Sequence, residues 1–199
     1  ELDKKLYDEY MNLRLTGGTT ATCVVVRKNQ LYVAHIGDSR VIAVNCEAES
    51  RYGFLDLTTD DKPSLKEERE RIIRSGMSLS EDGTRVVSYD KRTDLDVTRA
   101  FGDFEFKKMS LEPEDQGVTC CPHVLLKTLT KPIYLILASD GIWKVMESDQ
   151  VAYHLEKTLV DNKMDLACSL DELIDECVSN DRWGKGNDNM TCFFVHILV

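Results

Sequence analysis

Two segments of the chain carry apolar side chains at nearly every position, Ile133–Ala138 and residues 191–199. Because successive side chains on a strand point to opposite faces, such a strand is apolar on both sides. Strands of this kind are typical of a sheet that is covered on both faces. The pattern therefore predicts a layered fold, with a second sheet on one face and helices beyond.

Two further runs of β-branched and apolar residues, 21–26 and 31–36, are separated by four polar residues, which predicts a β-hairpin. A second tight turn at residues 37–39 leads into the apolar run 41–44. The three runs are therefore predicted to pair with one another as an antiparallel meander.

Three internal helices are predicted from capping residues and apolar spacing. Ser64 with Glu67 three residues later has the form of a capping box, and the charged run 66–71 is interpreted as a face in water. A second helix is predicted around residues 151–159, and a third begins at a capping box formed by residues 169–172. Strands and helices that are grouped rather than alternating favour the α+β class.

Composition limits the partners that such a chain can have. The 199 residues are predicted to form one domain, and their net charge of −10 argues against nucleic acid as the main ligand. No run approaches the roughly 18 apolar residues of a membrane span, and no signal-peptide pattern is present. The seven cysteines include no Cys-x-x-Cys pair, which indicates reduced thiols in a cytoplasmic or nuclear protein.

Three aspartates lie where predicted strands end or turn, each with a glycine nearby: Asp38, Asp140 and Asp188. Hard divalent cations such as Mg²⁺ and Mn²⁺ prefer oxygen ligands of this kind. An Asp beside a Gly is also a common turn former. Both interpretations remain open for each aspartate when it is taken singly.

Five segments follow one another along the chain as recognisable motifs. They are residues 16–21 with 34–40, residues 58–63 leading into 67–72, residues 97–103, residues 137–143 and residues 188–191. They include Gly-Asp-Ser-Arg at 37–40, Thr-Arg-Ala-Phe-Gly-Asp at 98–103 and Ser-Asp-Gly-Ile-Trp at 139–143. Together the five segments resemble metal-dependent protein serine/threonine phosphatases of the type 2C class.

The resemblance implies a four-layer α-β-β-α sandwich with two antiparallel sheets and a two-metal site at one end. By position, Asp140 and Asp188 would bind one of two catalytic ions, Mn²⁺ or Mg²⁺, and Asp38 would help to bind a third, weaker ion. Such enzymes hydrolyse phosphoserine and phosphothreonine in phosphorylated proteins through a metal-activated water. None of the cysteines is then needed as a nucleophile.

The chain departs from the family pattern in two ways. The upstream family motifs, an Arg, a Glu-Asp pair and Asp-Gly-His-Gly, have no counterpart, so the chain is expected to be the C-terminal two-thirds of a catalytic domain that is incomplete at its N-terminal side. Alone, it is expected to bind the metal pair weakly and to be a poor catalyst. The second departure is Lys144, where the family usually has an acidic residue that supports the third ion. An ammonium there is expected to pair with Asp38 or Asp140 and to leave the third site weak or empty.

Two functions from different classes follow. The first is a phosphatase, and the alternative is a pseudophosphatase that keeps the fold and serves as a signalling interaction module. Retention of Asp140 and Asp188 favours the enzyme, whereas Lys144 favours the alternative. An incomplete domain is also expected to expose strand edges, which its own N-terminal segment or a second copy would cover.

Overall fold

The structure, a computed structural model, describes residues 1–13, 16–44, 53–161, 165–178 and 186–199. The chain divides into two compact units. The first unit comprises Glu1–Ala21, Ala34–Asp38 and Asp60–His123; the second comprises Thr22–Val33, Ser39–Thr59 and Val124–Val199. Cys46, one of the predicted thiols, lies outside the described residues, and the described cysteines are all free.

Five helices and twelve strands are described. The helices are α1 (Leu2–Leu13), α2 (Lys66–Arg74), α3 (Asp140–Trp143), α4 (Ser148–Asp161) and α5 (Leu166–Cys177). The first six strands are β1 (Gly18–Thr19), β2 (Ala21–Arg27), β3 (Gln30–Ile36), β4 (Arg40–Val44), β5 (Phe54–Asp56) and β6 (Ser78–Leu79). The others are β7 (Val86–Val87), β8 (Asp94–Leu95), β9 (Phe101–Gly102), β10 (His123–Thr128), β11 (Ile133–Ala138) and β12 (Cys192–Ile197).

The strand pairings confirm a mixed α+β fold with antiparallel sheets. A four-stranded sheet has the order β12-β11-β4-β5, and its neighbouring strands pair antiparallel. A three-stranded sheet has the order β10-β3-β2, and short strands form the sheets β1-β9 and β6-β7-β8. The four-layer arrangement itself, like the single-domain assignment, stays a prediction.

The predicted hairpin is confirmed, but the predicted meander is wrong. Strands β2 and β3 are neighbours joined by Lys28 and Asn29, and Lys28 takes the positive φ of 55° that a tight turn requires. Strand β4 does not continue that sheet; it pairs with β11 and β5. Gly37, with φ of 93°, lets the chain turn sharply, and its N–H bonds to Asp61 rather than to a neighbouring strand.

Strand β11 is buried on both faces, as the sequence predicts. Its residues alternate between two apolar clusters of the second unit: Ile136 packs in one with residues of α4 and α5, and Leu135 packs in the other with Leu31 and Val33 of β3. Strand β12 is different, because it lies at the end of its sheet and exposes Phe193 and Val195. The prediction that both faces of this segment are covered is wrong for β12.

The three internal helices form near the predicted positions, but two of the predicted caps are wrong. Helix α2 starts after Leu65, and no side chain caps it; Ser64 belongs to the preceding turn. Helix α5 starts before the predicted box, because the Asp165 carboxylate accepts bonds from the N–H groups of Ala167 and Cys168. Ser169 is buried inside that helix and donates to the Asp165 carbonyl.

The interpretation of the charged run on α2 as a face in water is correct for its exposed residues Lys66, Glu67, Arg69 and Glu70, and wrong for the other two. Glu68 and Arg71 are buried and form an ion pair three residues apart on the helix. Periodicity alone could not show this, because a fully paired Glu and Arg can replace apolar side chains in an interior.

Within the described part of the chain, none of the helices has the length and apolar character that crossing a bilayer requires.

Candidate metal centre

The antiparallel register of the second unit brings two of the three candidate aspartates to the same end of a sheet. Ala138 of β11 lies opposite Cys192 of β12. Asp140 follows Ala138 by two residues and Asp188 precedes Cys192 by four, so both leave the sheet where β11 ends and β12 begins. This convergence depends on pairing between distant segments, which local sequence patterns do not specify.

Short-range contacts hold the two aspartate-bearing segments together. The Ser139 N–H donates to the Thr191 carbonyl at 2.9 Å, and the Thr191 N–H donates to Ser139 Oγ at 3.0 Å. A Cβ on Gly141 would lie 2.3 Å from the Asn189 carbonyl oxygen, so only glycine permits this approach. The glycine beside Asp140 therefore has a packing role in addition to any turn.

Lys144 joins the two carboxylates. Its Nζ lies 2.5 Å from Asp140 Oδ2 and 2.7 Å from Asp188 Oδ2. Partial burial lowers the pKa of Lys144, but the hydrogen bonds that Lys144 donates to Asp140 and Asp188 outweigh burial and raise the pKa. Hydrogen bonding to Lys144 lowers the pKa of Asp188. The predicted pairing of Lys144 with Asp140 is thus present, and the two carboxylates already share a cation.

Asp38 lies in the first unit and has a different cation. Its carboxylate is buried and accepts a hydrogen bond from the Lys62 ammonium, which also donates to Asp96 Oδ2 at 2.9 Å. Burial lowers the pKa of Lys62, and its bonds with Asp38 and Asp96 raise it to a larger extent. The alternative partner predicted for Lys144, Asp38, is therefore bonded to a different lysine, Lys62.

The first unit also contains a buried ionic network that the sequence interpretation missed. Both Glu68 oxygens accept from Arg71, at 2.6 and 2.7 Å, and Arg99 Nη2 donates to Glu68 at 2.6 Å. The Thr98 hydroxyl donates to the same carboxylate. Burial alone raises the pKa of Glu68, but these bonds bring it to about 2. The available signal was the i, i+3 spacing of Glu68 and Arg71, which permits a bidentate pair on one helix.

Asp61 is fully buried beside this network. Its Oδ2 accepts from the Gly37 N–H at 2.8 Å, while Oδ1 lies 3.3 Å from Arg99 Nε and 3.2 Å from His123 Nε2 without forming a hydrogen bond. Burial raises the pKa of Asp61 to about 7, although Gly37 and Arg99 oppose the shift. Burial and the Arg99 charge lower the pKa of His123.

Asp61, Glu68 and His123 offer ligand atoms within 4.8 Å of one another, which is a spacing that a metal ion could use. The chemistry of the surroundings does not fit a divalent ion. Arg99 lies against both carboxylates, and Arg71 also binds Glu68. A divalent ion there would face two guanidinium groups and would disrupt the hydrogen bonds that Arg71, Arg99 and Thr98 donate to Glu68. We assign this cluster to structural support of the first unit.

Asp140 and Asp188 fit a metal ion better. They are part-exposed, come from two segments, and converge on one cationic group. Oxygen ligands that keep contact with water are what Mg²⁺ and Mn²⁺ require. The donor set is therefore compatible with a hard divalent cation, provided that the Lys144 ammonium moves away.

Comparison with known proteins places the chain in a family. Residues 1–184 match the family described as Protein phosphatase 2C. Protein phosphatase 1G of Homo sapiens is 34% identical over 187 residues, which cover 89% of this chain and 32% of the human protein. The chain thus spans about a third of that relative's length.

Solved structures of phosphatases share the fold. Serine-threonine phosphatase 2C from Toxoplasma gondii matches with a TM-score of 0.77 at 24% identity, covering 98% of this chain and 63% of that one. The catalytic domain of the serine threonine protein phosphatase PstP, solved in complex with two manganese ions, matches with a TM-score of 0.57 at 20% identity, covering 99% and 66%. The fold, the order of the motifs and the family match agree, and the chain belongs to the protein phosphatase 2C family.

Proposed function

We propose that the protein containing this chain is a metal-dependent phosphatase that hydrolyses phosphoserine and phosphothreonine in proteins. The observation that carries the proposal is the meeting of the Asp140 and Asp188 carboxylates at one cationic group. Both residues occupy the positions at which the family resemblance expects ligands. The family consists of protein phosphatases, and a neighbour of similar fold binds manganese.

Asp140 and Asp188 would hold Mn²⁺ or Mg²⁺, and Asp38 would contribute to a third ion. When bound, the ions activate a water molecule and offset negative charge on the phosphoryl group. The chain's own residues keep the ligands in place: the Ser139–Thr191 bonds fix the spacing of the two segments, and Lys62 orients the Asp38 carboxylate.

The test is release of phosphate from a phosphothreonine peptide by the full-length protein, with and without Mn²⁺. Turnover that requires Mn²⁺ and falls at least 100-fold in Asp140→Asn supports the proposal, because one missing ligand removes much of the charge stabilisation in such sites. Asp149→Asn is the matched control, since Asp149 is an exposed acidic residue on α4 in the same unit. Equal turnover in the wild-type protein and Asp140→Asn would contradict the proposal.

The alternative function, a pseudophosphatase that binds signalling partners, is favoured by one observation. The Lys144 ammonium lies where it competes with a divalent ion for Asp140 and Asp188. An absence of manganese binding to the full-length protein at millimolar concentration would favour this alternative.

Lys144 also affects the proposed third metal site. We propose that the third site is weak or empty because the chain supplies an ammonium group where the family usually has a carboxylate. Lys144→Asp removes the cation and restores the acidic group, so it should increase the number of Mn²⁺ ions bound per protein. The number of ions, measured by calorimetric titration, should stay unchanged in Lys157→Asp, an exposed position on α4.

A further inference from the structure

The first unit contains a cleft of about 650 Å³. Three basic residues line it, Lys62, Arg69 and Arg85, together with the hydroxyl-bearing residues Ser64 and Thr84. The whole chain has a net charge of −10. Three cations around one cleft are therefore a local exception on an acidic protein, and a local exception of this kind marks where an anion is attracted.

Two acidic residues also line the cleft, but each already has hydrogen-bond donors. Asp96 accepts from Lys62 at 2.9 Å. Asp82 accepts from the Ser80 hydroxyl, the Thr84 hydroxyl and the Thr84 N–H, and these bonds lower its pKa to about 2. Asp82 and Asp96 are thus already hydrogen-bonded to groups of the first unit. Among the described residues, neither carboxylate pairs with Arg69 or Arg85.

Arg69 is the cation without such a partner. Among the described residues, its guanidinium makes no hydrogen bond or ion pair, although Arg71 and Arg99 nearby are fully engaged. The group lies over the Gly83 backbone, where a Cβ on Gly83 would come within 3.2 Å of Nη1. An exposed guanidinium at a cleft wall with open donors is suited to a carboxylate or phosphate, which accept paired hydrogen bonds from guanidinium.

Arg85 adds further donors on the same wall. Its Nε bonds to Asp94 Oδ1 at 2.5 Å and its Nη2 bonds to the Asp94 carbonyl at 3.4 Å. Its Nη1 makes no bond within the described part of the chain. The salt bridge with Asp94 fixes the direction of the side chain and leaves one end of the guanidinium open to the cleft.

The cleft is connected to a candidate metal ligand through Lys62. This lysine lines the cleft and donates to the Asp38 carboxylate. A group bound in the cleft therefore lies one lysine side chain away from a residue that is proposed to bind a metal ion.

We propose that this cleft binds an anionic side chain of the phosphoprotein substrate, with Arg69 as its principal contact. The anionic group is a carboxylate or a second phosphoryl group, since both have the oxygen geometry that Arg69 and Arg85 can bind. The proposal rests on the proposed phosphatase function and adds a substrate preference to it.

The test uses the full-length protein and three sets of phosphothreonine peptides, all of equal length. One has neutral flanking residues, a second series carries a single Glu at each flanking position in turn, and a third carries phosphoserine at those positions. We expect the best-placed anionic peptide to exceed the neutral peptide in kcat/KM by roughly 5-fold to 10-fold, through KM, as one charge-assisted contact can supply. Arg69→Gln should remove most of this ratio, and 0.5 M salt should reduce it.

The matched control is Arg74→Gln, which changes an exposed arginine on the same helix outside the cleft. It should leave the ratio of anionic to neutral peptide unchanged. Equal ratios in the wild-type protein, Arg69→Gln and Arg74→Gln would overturn the proposal. A gain for phosphoserine but not for Glu identifies a second phosphoryl group as the ligand, and a gain for both identifies a general anion site.

A second readout separates this proposal from the phosphatase assignment. Fluorescence anisotropy measures binding of a labelled peptide that carries the best anionic flank and alanine instead of phosphothreonine. Weaker binding to Arg69→Gln than to Arg74→Gln supports the cleft even when no peptide is hydrolysed. Turnover of the neutral peptide without any difference in anion binding would support the phosphatase and refute the cleft.

Discussion

At the scale of single residues, three carboxylates of this chain differ in their burial and in the cations that they contact. Glu68 meets two guanidinium groups and a hydroxyl, Asp38 meets Lys62, and Asp140 meets Lys144. Glu68 is buried inside the first unit, so replacing its guanidinium partners with water or a metal ion would cost a large amount of free energy. Asp140 is part-exposed, so a divalent ion that reaches it from solvent would be able to replace the Lys144 ammonium.

We expect Glu68→Gln to destabilise the protein by about 3 kcal/mol at pH 7, because it leaves two buried guanidinium groups without a counter-charge. The pKa of Glu68 is lowered from 4.5 to about 2 on folding. A lowered carboxyl pKa stabilises the folded state above pH 4.5, and this contribution is lost as the pH falls towards 2. The difference in unfolding free energy between wild type and variant should therefore shrink over that range.

Urea unfolding at pH 7, 4 and 3 measures this difference. Glu67→Gln is the control, since Glu67 is an exposed neighbour on the same helix and should change stability little. A difference between wild type and Glu68→Gln that is small at pH 7, or constant with pH, would contradict the account.

At the scale of elements, the sequence predicts which segments are helices and strands better than it predicts how they begin and pair. The hairpin of β2 and β3 and the helix α4 are set by local patterns, and both form as predicted. The start of α5 is set by Asp165, which lies outside the capping box that the sequence suggests. The chain passes from one sheet to another between β3 and β4, because β4 pairs with the distant strand β11. No local sequence pattern predicts this pairing.

The same limit applies to the candidate metal centre. Motif positions identify Asp140 and Asp188 because family resemblance carries information that spacing alone does not. Their meeting requires the register of β11 with β12 and the close approach of Gly141 to Asn189. The pairing of Lys144 with Asp140 was one of two predicted alternatives, and its contact with Asp188 was not predicted. The network around Glu68 was missed because it needs tertiary contacts with Thr98 and Arg99.

Gly141→Ala tests whether the approach of α3 to the segment before β12 positions the ligands. The added methyl would lie 2.3 Å from the Asn189 carbonyl, so the segment must move. We expect a loss of about 1–3 kcal/mol in stability from overpacking, together with weaker manganese binding. Thermal unfolding and a manganese titration measure the two effects. Wild-type manganese affinity in this variant would show that the approach does not matter for the ligands.

At the scale of the whole molecule, the chain exposes apolar side chains on strands that end their sheets. Phe193 and Val195 on β12 and Val124 and Leu126 on β10 are exposed. Both strands lie at the ends of their sheets. Unpaired strand edges with apolar faces favour pairing with another chain segment. The sequence-based expectation that an N-terminal segment or a second copy covers these edges therefore stays a prediction.

We expect the 199-residue chain, expressed alone, to associate with itself, and Phe193→Lys to reduce that association by adding a charge on an exposed edge strand. Light scattering after gel filtration gives the mass. Ile73→Lys is the control, because Ile73 is equally exposed but lies on helix α2 rather than on a strand. A wild-type chain that remains a compact monomer at high concentration would contradict this expectation.

The central claim is that Asp140 and Asp188 hold the same divalent ion. A calorimetric titration of the full-length protein with Mn²⁺ tests it most directly, with Asp140→Asn, Asp188→Asn and the double variant measured beside Asp149→Asn. The account predicts that each single variant loses at least tenfold in affinity, that the double variant loses little more, and that the control binds as the wild type does, because ligands of one ion act together. Wild-type affinity in either single variant would contradict it.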